Sequence, residues 1–443
     1  MLDDAQNPQS YMRMGDYILY KSTAGGVLFD PLTLQSVFIE ATEMAALSAS
    51  SSSAENNSIR ATLKAFGFSF ETRAEPVQAL LKKELDRHSI PDFASRIIGL
   101  RILITDKCNL SCSYCFVHTN SGAADMSNSD LENGLTYLLS SNRNSQEVSV
   151  QWFGGEPTIR FDLMKYGDIY VDQKKSQFDV RRVRHSVVTN GTLLTDEMLE
   201  HYARFQYAVG VSVDGTPEIN RTYRVKINGG GADDKILSNI RRLSKCKEIE
   251  LGLVLTATQA NIPVLSDVVS YFIEELGIKT ISVNHPIPAK SGWFVDGSKL
   301  ADALFKARLV AISKGGRVFS VLDKLYQSLD KRIPNVFEHL KAGDGIIGAL
   351  LPGGKLSISN LNWKHSDFVF SVSDLEANRH LLKNYSKDLL SAPQCKVCPA
   401  LAVCGGPSLN DFLATGVHEP IADHCKFHER ALELTVWDNS GLQ

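Results

Sequence analysis

The chain has 443 residues and a mass of 48.8 kDa, which at a usual domain size of about 150 residues makes about two to four domains. With 43% hydrophobic and 22% charged residues, and 47 Lys+Arg against 50 Asp+Glu, the composition excludes collagenous, wholly disordered and membrane-spanning classes and offers no basic excess for nucleic acid. Eight cysteines are too few for a disulfide-dense secreted scaffold.

The N-terminus, MLDDAQNPQSYMRMGDY, is acidic and polar and lacks the basic-then-apolar pattern of a signal peptide. No apolar run reaches the roughly 18 residues of a membrane span. The expectation is a cytoplasmic protein, with no membrane or nucleic-acid partner, in which clustered cysteines bind metal or do redox chemistry. Residues 17–30 read as a hairpin around a Gly25-Gly26 turn, followed by a helix near 33–47. A polar linker occupies 48–58, and a short amphipathic helix runs over 58–68 and ends near Gly67. These elements make an N-terminal α+β unit, residues 1–94, which is either a decorated extension or a substrate-recognition module.

From residue 95 to 300 the rhythm changes. β-branched runs at 97–105, 147–153, 184–189, 207–213, 249–256 and 279–284 alternate with helix-like stretches. Six β-then-α units predict an α/β fold with a parallel sheet, either an open partial barrel or a doubly wound sheet. In both, functional residues gather at the carboxyl ends of the strands. Those ends carry, in order, Cys108, Cys112 and Cys115; Gly154-Gly155-Glu156-Pro157; Thr189-Asn190-Gly191; Ser212 with Asp214-Gly215; Thr256-Ala257-Thr258; and Asn284-His285-Pro286. Trp152 and Phe153 read as barrel core. His285 reads as a turn or core histidine ahead of a pocket residue, and Cys246 as a buried small apolar side chain. Residues 301–443 are irregular, with a hairpin at 347–359 ahead of Cys395, Cys398, Cys404 and Cys425.

Three cysteines spaced C-x3-C-x2-C on one loop can converge on a metal centre. A structural zinc site wants a fourth ligand, which His118 could supply; three ligands on a four-iron cluster leave one iron open. Together with Tyr114, FGGEP at 153–157, TNGTLLT at 189–195 and SVDG at 212–215, this loop resembles the radical S-adenosylmethionine (SAM) superfamily. The resemblance covers about residues 95–290 and implies a partial (β/α)6 TIM-like barrel. It also implies that the open iron chelates SAM and that one-electron reduction, from a donor such as a flavodoxin or ferredoxin, releases a 5′-deoxyadenosyl radical that abstracts a substrate hydrogen. Cys108, Cys112 and Cys115 would hold the cluster. Tyr114, Gly154, Gly155, Glu156, Asn190 and Ser212 would contact SAM, with Glu156 accepting from its ammonium. Asp214 is equally a turn residue, and Arg224 either meets a carboxylate or is an exposed arginine.

The second cysteine group, C-x2-C-x5-C with a later Cys425, could close a zinc site. It also resembles part of the SPASM (twitch-like) extension of radical SAM enzymes. The full pattern has seven cysteines; here Ser359 and Ser408 stand at two of the positions and a third, upstream near 335–350, is missing. The losses match one cluster's ligand set, so the resemblance implies a single auxiliary 4Fe-4S cluster on Cys395, Cys398, Cys404 and Cys425. Asn360 stands where sulfatase-maturing relatives carry an acidic base, which argues against that dehydrogenation here and leaves the general base unassigned. SPASM enzymes mostly modify ribosomally made peptides. The N-terminal unit resembles small winged-helix modules that bind leader peptides, and GDYILYKSTAGGVLFDP resembles maturases of His-Xaa-Ser systems. The expectation is a maturase that crosslinks or rearranges a precursor peptide. A radical SAM enzyme of small molecules and a zinc-binding interaction module are the alternatives.

Overall fold

The computed structural model describes residues 11–48, 54–70, 79–80, 97–115, 117, 119–122, 125–285, 295–334, 347–357, 366, 369–374, 393–406 and 421–440. Two sheets organise the chain. The first is an antiparallel meander of β1 (Tyr11–Met14), β2 (Tyr17–Ser22), β3 (Gly25–Phe29) and β4 (Ser36–Glu40), followed by α1 (Ala41–Ser48) and α2 (Ala54–Ala65). Here the structure corrects two expectations. The hairpin turns at Thr23-Ala24, while Gly25 and Gly26 begin β3 and pair with Ser22 and Lys21. The apolar stretch after residue 33 is strand up to Glu40 and helix only from Ala41, because Val37, Phe38 and Ile39 are β-formers that find β3 as a partner.

This meander is buried on both faces. Ile18, Tyr20, Val27 and Phe29 join the main core, whereas Leu19, Leu28 and Ile39 join Leu47, Leu63 and Phe68 in a smaller core under the two helices. The period-2 alternation of a strand sends successive residues to opposite sides, and here each side meets apolar partners.

The second sheet has ten strands in the order β11-β10-β9-β8-β7-β6-β5-β12-β13-β14. β5 (Gly99–Leu103), β6 (Glu147–Phe153), β7 (Arg182–Thr189), β8 (Ala208–Ser212), β9 (Glu250–Thr256) and β10 (Thr280–Asn284) are the six expected parallel strands. Helices α3 (Asn128–Ser140), α4 (Phe161–Lys174), α5 (Asp196–Arg204), α6 (Pro217–Tyr223), α7 (Asp233–Leu243) and α8 (Leu265–Glu274) link them, and α9 (Gly297–Ser313) follows β10. Ser127 caps α3 in a box with Asp130, and Thr195 caps α5. Two additions lie outside the expected six. β11 (Arg317–Phe319) pairs parallel to β10, and β12 (Ile347–Leu351) pairs parallel to β5 before turning into β13 (Lys355–Ser357) and β14 (Val369–Ser371). The hairpin expected at 347–359 therefore forms, and it forms as an extension of the main sheet. After α10 (Val321–Lys331), the chain ends in the short helix α11 (Leu401–Cys404) and the long helix α12 (Ala422–Asn439).

Side chains on the parallel strands divide between the two faces. Val148, Val150, Trp152, His185 and Val187 are buried beneath the helices. Arg101, Gln151, Phe153, Ser186 and Ser212 alternate with them and are half-buried on the concave face, where the Arg101 Nε donates to Gln151 Oε1 at 2.8 Å. Trp152 is core as expected; Phe153 sits instead under the Arg101 guanidinium, 4.8 Å from its ring centre. Cys246 is half-exposed, its thiol 3.3 Å from Glu248 Oε2, which corrects its reading as a buried apolar residue: it ends the helix pair at the surface. His285 stacks edge-on against Phe427 of α12 at 4.5 Å, on the helix side of β10. It lines a small pocket with Val295, Leu300 and His424.

Candidate metal and cofactor site

The loop after β5 carries the first cysteine group to the rim of the sheet. The chain docks there by backbone contacts that admit no side chain. The Gly155 amide donates to the Thr105 carbonyl and the Glu156 amide to Lys107, each at 2.8 Å. A Cβ on Gly154 (φ +144°) would lie 2.4 Å from the Thr105 carbonyl oxygen, and one on Gly155 would lie 2.2 Å from that of Lys107. The glycines thus permit a close approach, and the partner is the backbone that feeds Cys108.

Glu156 is fully buried. Its Oε1 accepts from the Thr158 amide (3.1 Å), the Thr158 hydroxyl (2.6 Å) and the Thr189 hydroxyl (2.7 Å), and its Oε2 from the Asn190 amide (2.6 Å). Burial pushes its pKa up against these four donors. The carboxylate therefore ties the β6 and β7 strand ends together, and Oε2 keeps acceptor capacity for one more donor. Asn190 donates to Asn109 Oδ1 at 2.8 Å and points at Cys108 Sγ at 3.8 Å, while its own oxygen accepts from Thr192. Ser212 ends β8 half-buried, its hydroxyl without a partner among the described residues.

A second constellation stands beside Cys112. Asp214, fully buried, pairs with Arg224 at 3.0 Å and accepts from the Tyr114 hydroxyl at 2.5 Å. The Arg224 guanidinium lies 5.7 Å from the Tyr114 ring centre. Burial opposes the Arg224 charge, but the carboxylate of Asp214 outweighs it and holds its pKa above the usual range. Arg224 is thus buried and paired with the protein's own carboxylate, and Asp214 does more than make a turn: Thr256, Asn220 and Asn261 all bond to its side chain or backbone.

Several contributors escaped the sequence reading. Asn120 brackets Cys108, accepting from its amide at 3.1 Å and donating to its carbonyl at 3.2 Å. It sits at φ +59°, a conformation asparagine tolerates better than most residues. Thr105 and Lys107 bond Asp125, and Asn261 joins the β8 and β9 ends. The one available signal was the Asn and Asp content of the turns.

The donor set suits a thiolate-bound metal centre. Burial pushes the Cys112 thiol up to about 12, opposed by Arg224 and reinforced by Cys115; burial also raises Cys108, partly offset by the Leu110 amide 3.4 Å from its sulfur. Charging the Cys108 and Cys112 thiols needs positive charge nearby, which a metal centre would provide. In the second group, burial drives Cys404 well above its ordinary value and Cys398 to about 12, with Cys425 and Cys395 adding to both. The Cys398 thiol lies 3.7 Å from Glu429 Oε1, one turn beyond Cys425 on α12. Among the described residues no three His, Cys, Asp or Glu side chains meet as for one metal ion; each sulfur on a four-iron cluster binds its own iron. His118, Ser359, Asn360 and Ser408, with the stretch 335–346, lie outside the described residues.

Three cysteines, a glycine-docked turn and polar strand ends meet at one rim of a parallel sheet, an arrangement that could hold a thiolate-bound centre and a polar ligand. Residues 102–256 match the Radical SAM superfamily. The radical SAM cyclopropyl synthase TigE of Paramaledivibacter caminithermalis is 25% identical over 369 residues, 77% of this chain and 74% of its own length. The uncharacterized protein MJ0907 of Methanocaldococcus jannaschii is 31% identical over 191 residues, 43% of this chain, but the match spans only 63% of that protein. A cysteine-type anaerobic sulfatase-maturating enzyme of Clostridium novyi is 29% identical over 161 residues, 35% of this chain, and is spanned for 42%. The chain therefore spans less than two thirds of most of these relatives. In fold it is similar to anSMEcpe with bound AdoMet and Kp18Cys peptide (TM-score 0.65, 17% identity, 78% of this chain and 99% of that one). It is also similar to Streptococcus suis SuiB bound to precursor peptide SuiA (TM-score 0.55, 15% identity, 93% and 98%). No helix among the described residues is long and apolar enough to cross a membrane.

Proposed function

We propose that this chain is a radical SAM maturase that modifies a ribosomally made precursor peptide by C–H activation, as a crosslink or a related rearrangement. The observation that carries the reading is the Cys108-x3-Cys112-x2-Cys115 loop at the β5 end, docked by Gly154-Gly155-Glu156 and faced by Asn190. Once loaded, the cluster and SAM supply a 5′-deoxyadenosyl radical, with the electron drawn from a flavodoxin or ferredoxin. The chain's own residues position and shield. Glu156 locks two strand ends and keeps one lone pair for the SAM ammonium. Ser212 offers a hydroxyl at the rim. Tyr114, Gly154, Gly155 and Asn190 wall the cluster side, and the Asp214–Arg224 pair sets charge beside Cys112.

Residues 95–300 would form the catalytic barrel and 301–443 a SPASM-like unit with one auxiliary cluster on Cys395, Cys398, Cys404 and Cys425. Residues 1–94 would form a winged-helix-like recognition unit. Its β4 edge, which among the described residues pairs only on the β3 side, would take an added peptide strand. Two of the similar proteins support a peptide or protein substrate by name: a sulfatase-maturating enzyme and a structure with a precursor peptide bound.

The test is anaerobic reconstitution with SAM, a reductant and the small peptide encoded beside the gene. The expected result is about eight irons per chain, 5′-deoxyadenosine, and a mass change on the peptide. Turnover of a metabolite with no binding of that peptide would replace this reading with a small-molecule enzyme. Bound zinc, no brown colour and no SAM cleavage would replace it with a zinc module.

A further inference from the structure

The N-terminal meander reaches the second cysteine group. The Arg13 guanidinium on β1 donates to the carbonyl of Val397, between Cys395 and Cys398. Beside it, Tyr11 and Tyr20 pack edge-on with ring centres 6.0 Å apart. Tyr20 belongs to the same apolar core as Cys395, against which Cys398 and Cys404 pack. It is 1% exposed, and its hydroxyl is buried with no hydrogen-bond partner among the described residues. The charged or ionisable groups that act on that hydroxyl are Glu433, Tyr11, Cys398 and Glu429. A buried tyrosine hydroxyl ordinarily finds an acceptor. The ring is held by core packing, so the hydroxyl is aimed before its acceptor arrives. Around it are two α12 carboxylates, Glu429 and Glu433, and the sulfur of Cys398. Glu433 already accepts from Arg430 at 2.7 Å; Glu429 receives the Cys398 thiol at 3.7 Å only while that sulfur carries a proton, so in the loaded protein Glu429 and the cluster sulfurs compete for the Tyr20 hydroxyl, and the potential decides between them.

We infer that Tyr20 donates a hydrogen bond to a sulfur of the auxiliary cluster, so that the N-terminal unit supplies a residue that tunes a centre in the C-terminal unit. The inference rests on the proposal that Cys395, Cys398, Cys404 and Cys425 hold such a cluster. Hydrogen bonds to cluster sulfurs stabilise the more negative, reduced state and raise the reduction potential. Tyr20 is a positioning residue in this role and touches no substrate.

The experiment uses the full-length protein, reconstituted anaerobically, in wild-type form and as Tyr20→Phe, which keeps the ring and removes only the hydroxyl. Iron is counted first. About four irons in the wild type would overturn the auxiliary cluster and this inference with it; about eight upholds the cluster and leaves Tyr20 to be decided by potential. Redox titration followed by electron paramagnetic resonance should then show the auxiliary signal of Tyr20→Phe moved to a lower potential. The SAM-responsive signal should stay in place. An unmoved auxiliary potential in a variant holding about eight irons overturns the inference. Should Tyr20→Phe fail to retain its iron, 3-fluorotyrosine at position 20 provides the second variant. It keeps the hydroxyl and strengthens it as a donor, so the potential should rise, and no rise overturns the inference.

Discussion

Buried carboxylates do different work in different parts of the fold. Asp168 on α4 is fully buried beneath β6 and β7. It accepts from Trp152 Nε1 at 3.0 Å, lies 2.7 Å from both His185 and His201, and also receives the Tyr207 hydroxyl. Burial would raise its pKa, but the histidine and tyrosine contacts outweigh it and hold the pKa below the ordinary value. The stability it contributes is therefore present above the unfolded carboxylate pKa of about 3.9 and is lost as pH falls through the lower folded value. Asp168→Asn should cost about 3 kcal/mol at neutral pH, since it strands buried donors, and should flatten the acid limb of a stability–pH curve measured by urea melts. Glu156→Ala should lower stability by about 2 kcal/mol or more and reduce iron retained on the first cysteine group, read by metal analysis. At this scale the sequence shows residue types and their place at strand ends. It does not show partners. Glu156 and Asn190 were legible as rim residues, but their bonds to Thr158, Thr189 and Asn109 depend on side-chain directions that no spacing encodes. Asn120 brackets Cys108 across a loop with no periodic pattern at all.

Elements are where the chain is most readable. Six β-branched runs separated by amphipathic helices predict six parallel strands, because each strand's alternating buried face and each linking helix leave a periodic trace. β11 is three residues long and β12 pairs with a strand far away in sequence, so neither leaves one. Contacts between elements are equally silent. A Cβ at Gly297, the first residue of α9, would fall 1.8 Å from the Asp423 carbonyl oxygen of α12. Gly297→Ala should push apart the helix pair that carries Cys425, costing about 1–3 kcal/mol or more in a thermal melt and releasing iron from the second cysteine group. Gly155→Ala should do the reverse by displacing Lys107 and the first group. The expected outcome is about four of eight irons retained, with SAM cleavage abolished.

Across the whole molecule, the N-terminal meander is built into the core as well as set beside it. Ile18, Tyr20, Val27 and Phe29 are each at most 1% exposed and belong to the cluster that continues into the barrel. Removing residues 1–90 should therefore lower the melting temperature and expose apolar surface to a dye such as ANS, whatever the unit recognises. Loss of turnover in that truncation would not by itself identify peptide recognition. A charged substitution at an exposed position of the β4 edge, such as Ser36→Lys, is the cleaner probe. It should weaken peptide binding several-fold while leaving SAM cleavage without peptide unchanged.

The place of β12 bears on how the chain is made. β5 is the first strand of the barrel to leave the ribosome, yet one of its two edges is covered by residues 347–351. At about 5–20 residues per second that edge waits for tens of seconds, with the Gly99–Ile102 segment and its backbone groups open to mispairing. Long-range pairing of this kind also slows folding after release. Synthesis rate and chaperone supply, more than thermodynamic stability, should set how much of this protein a cell recovers in active form.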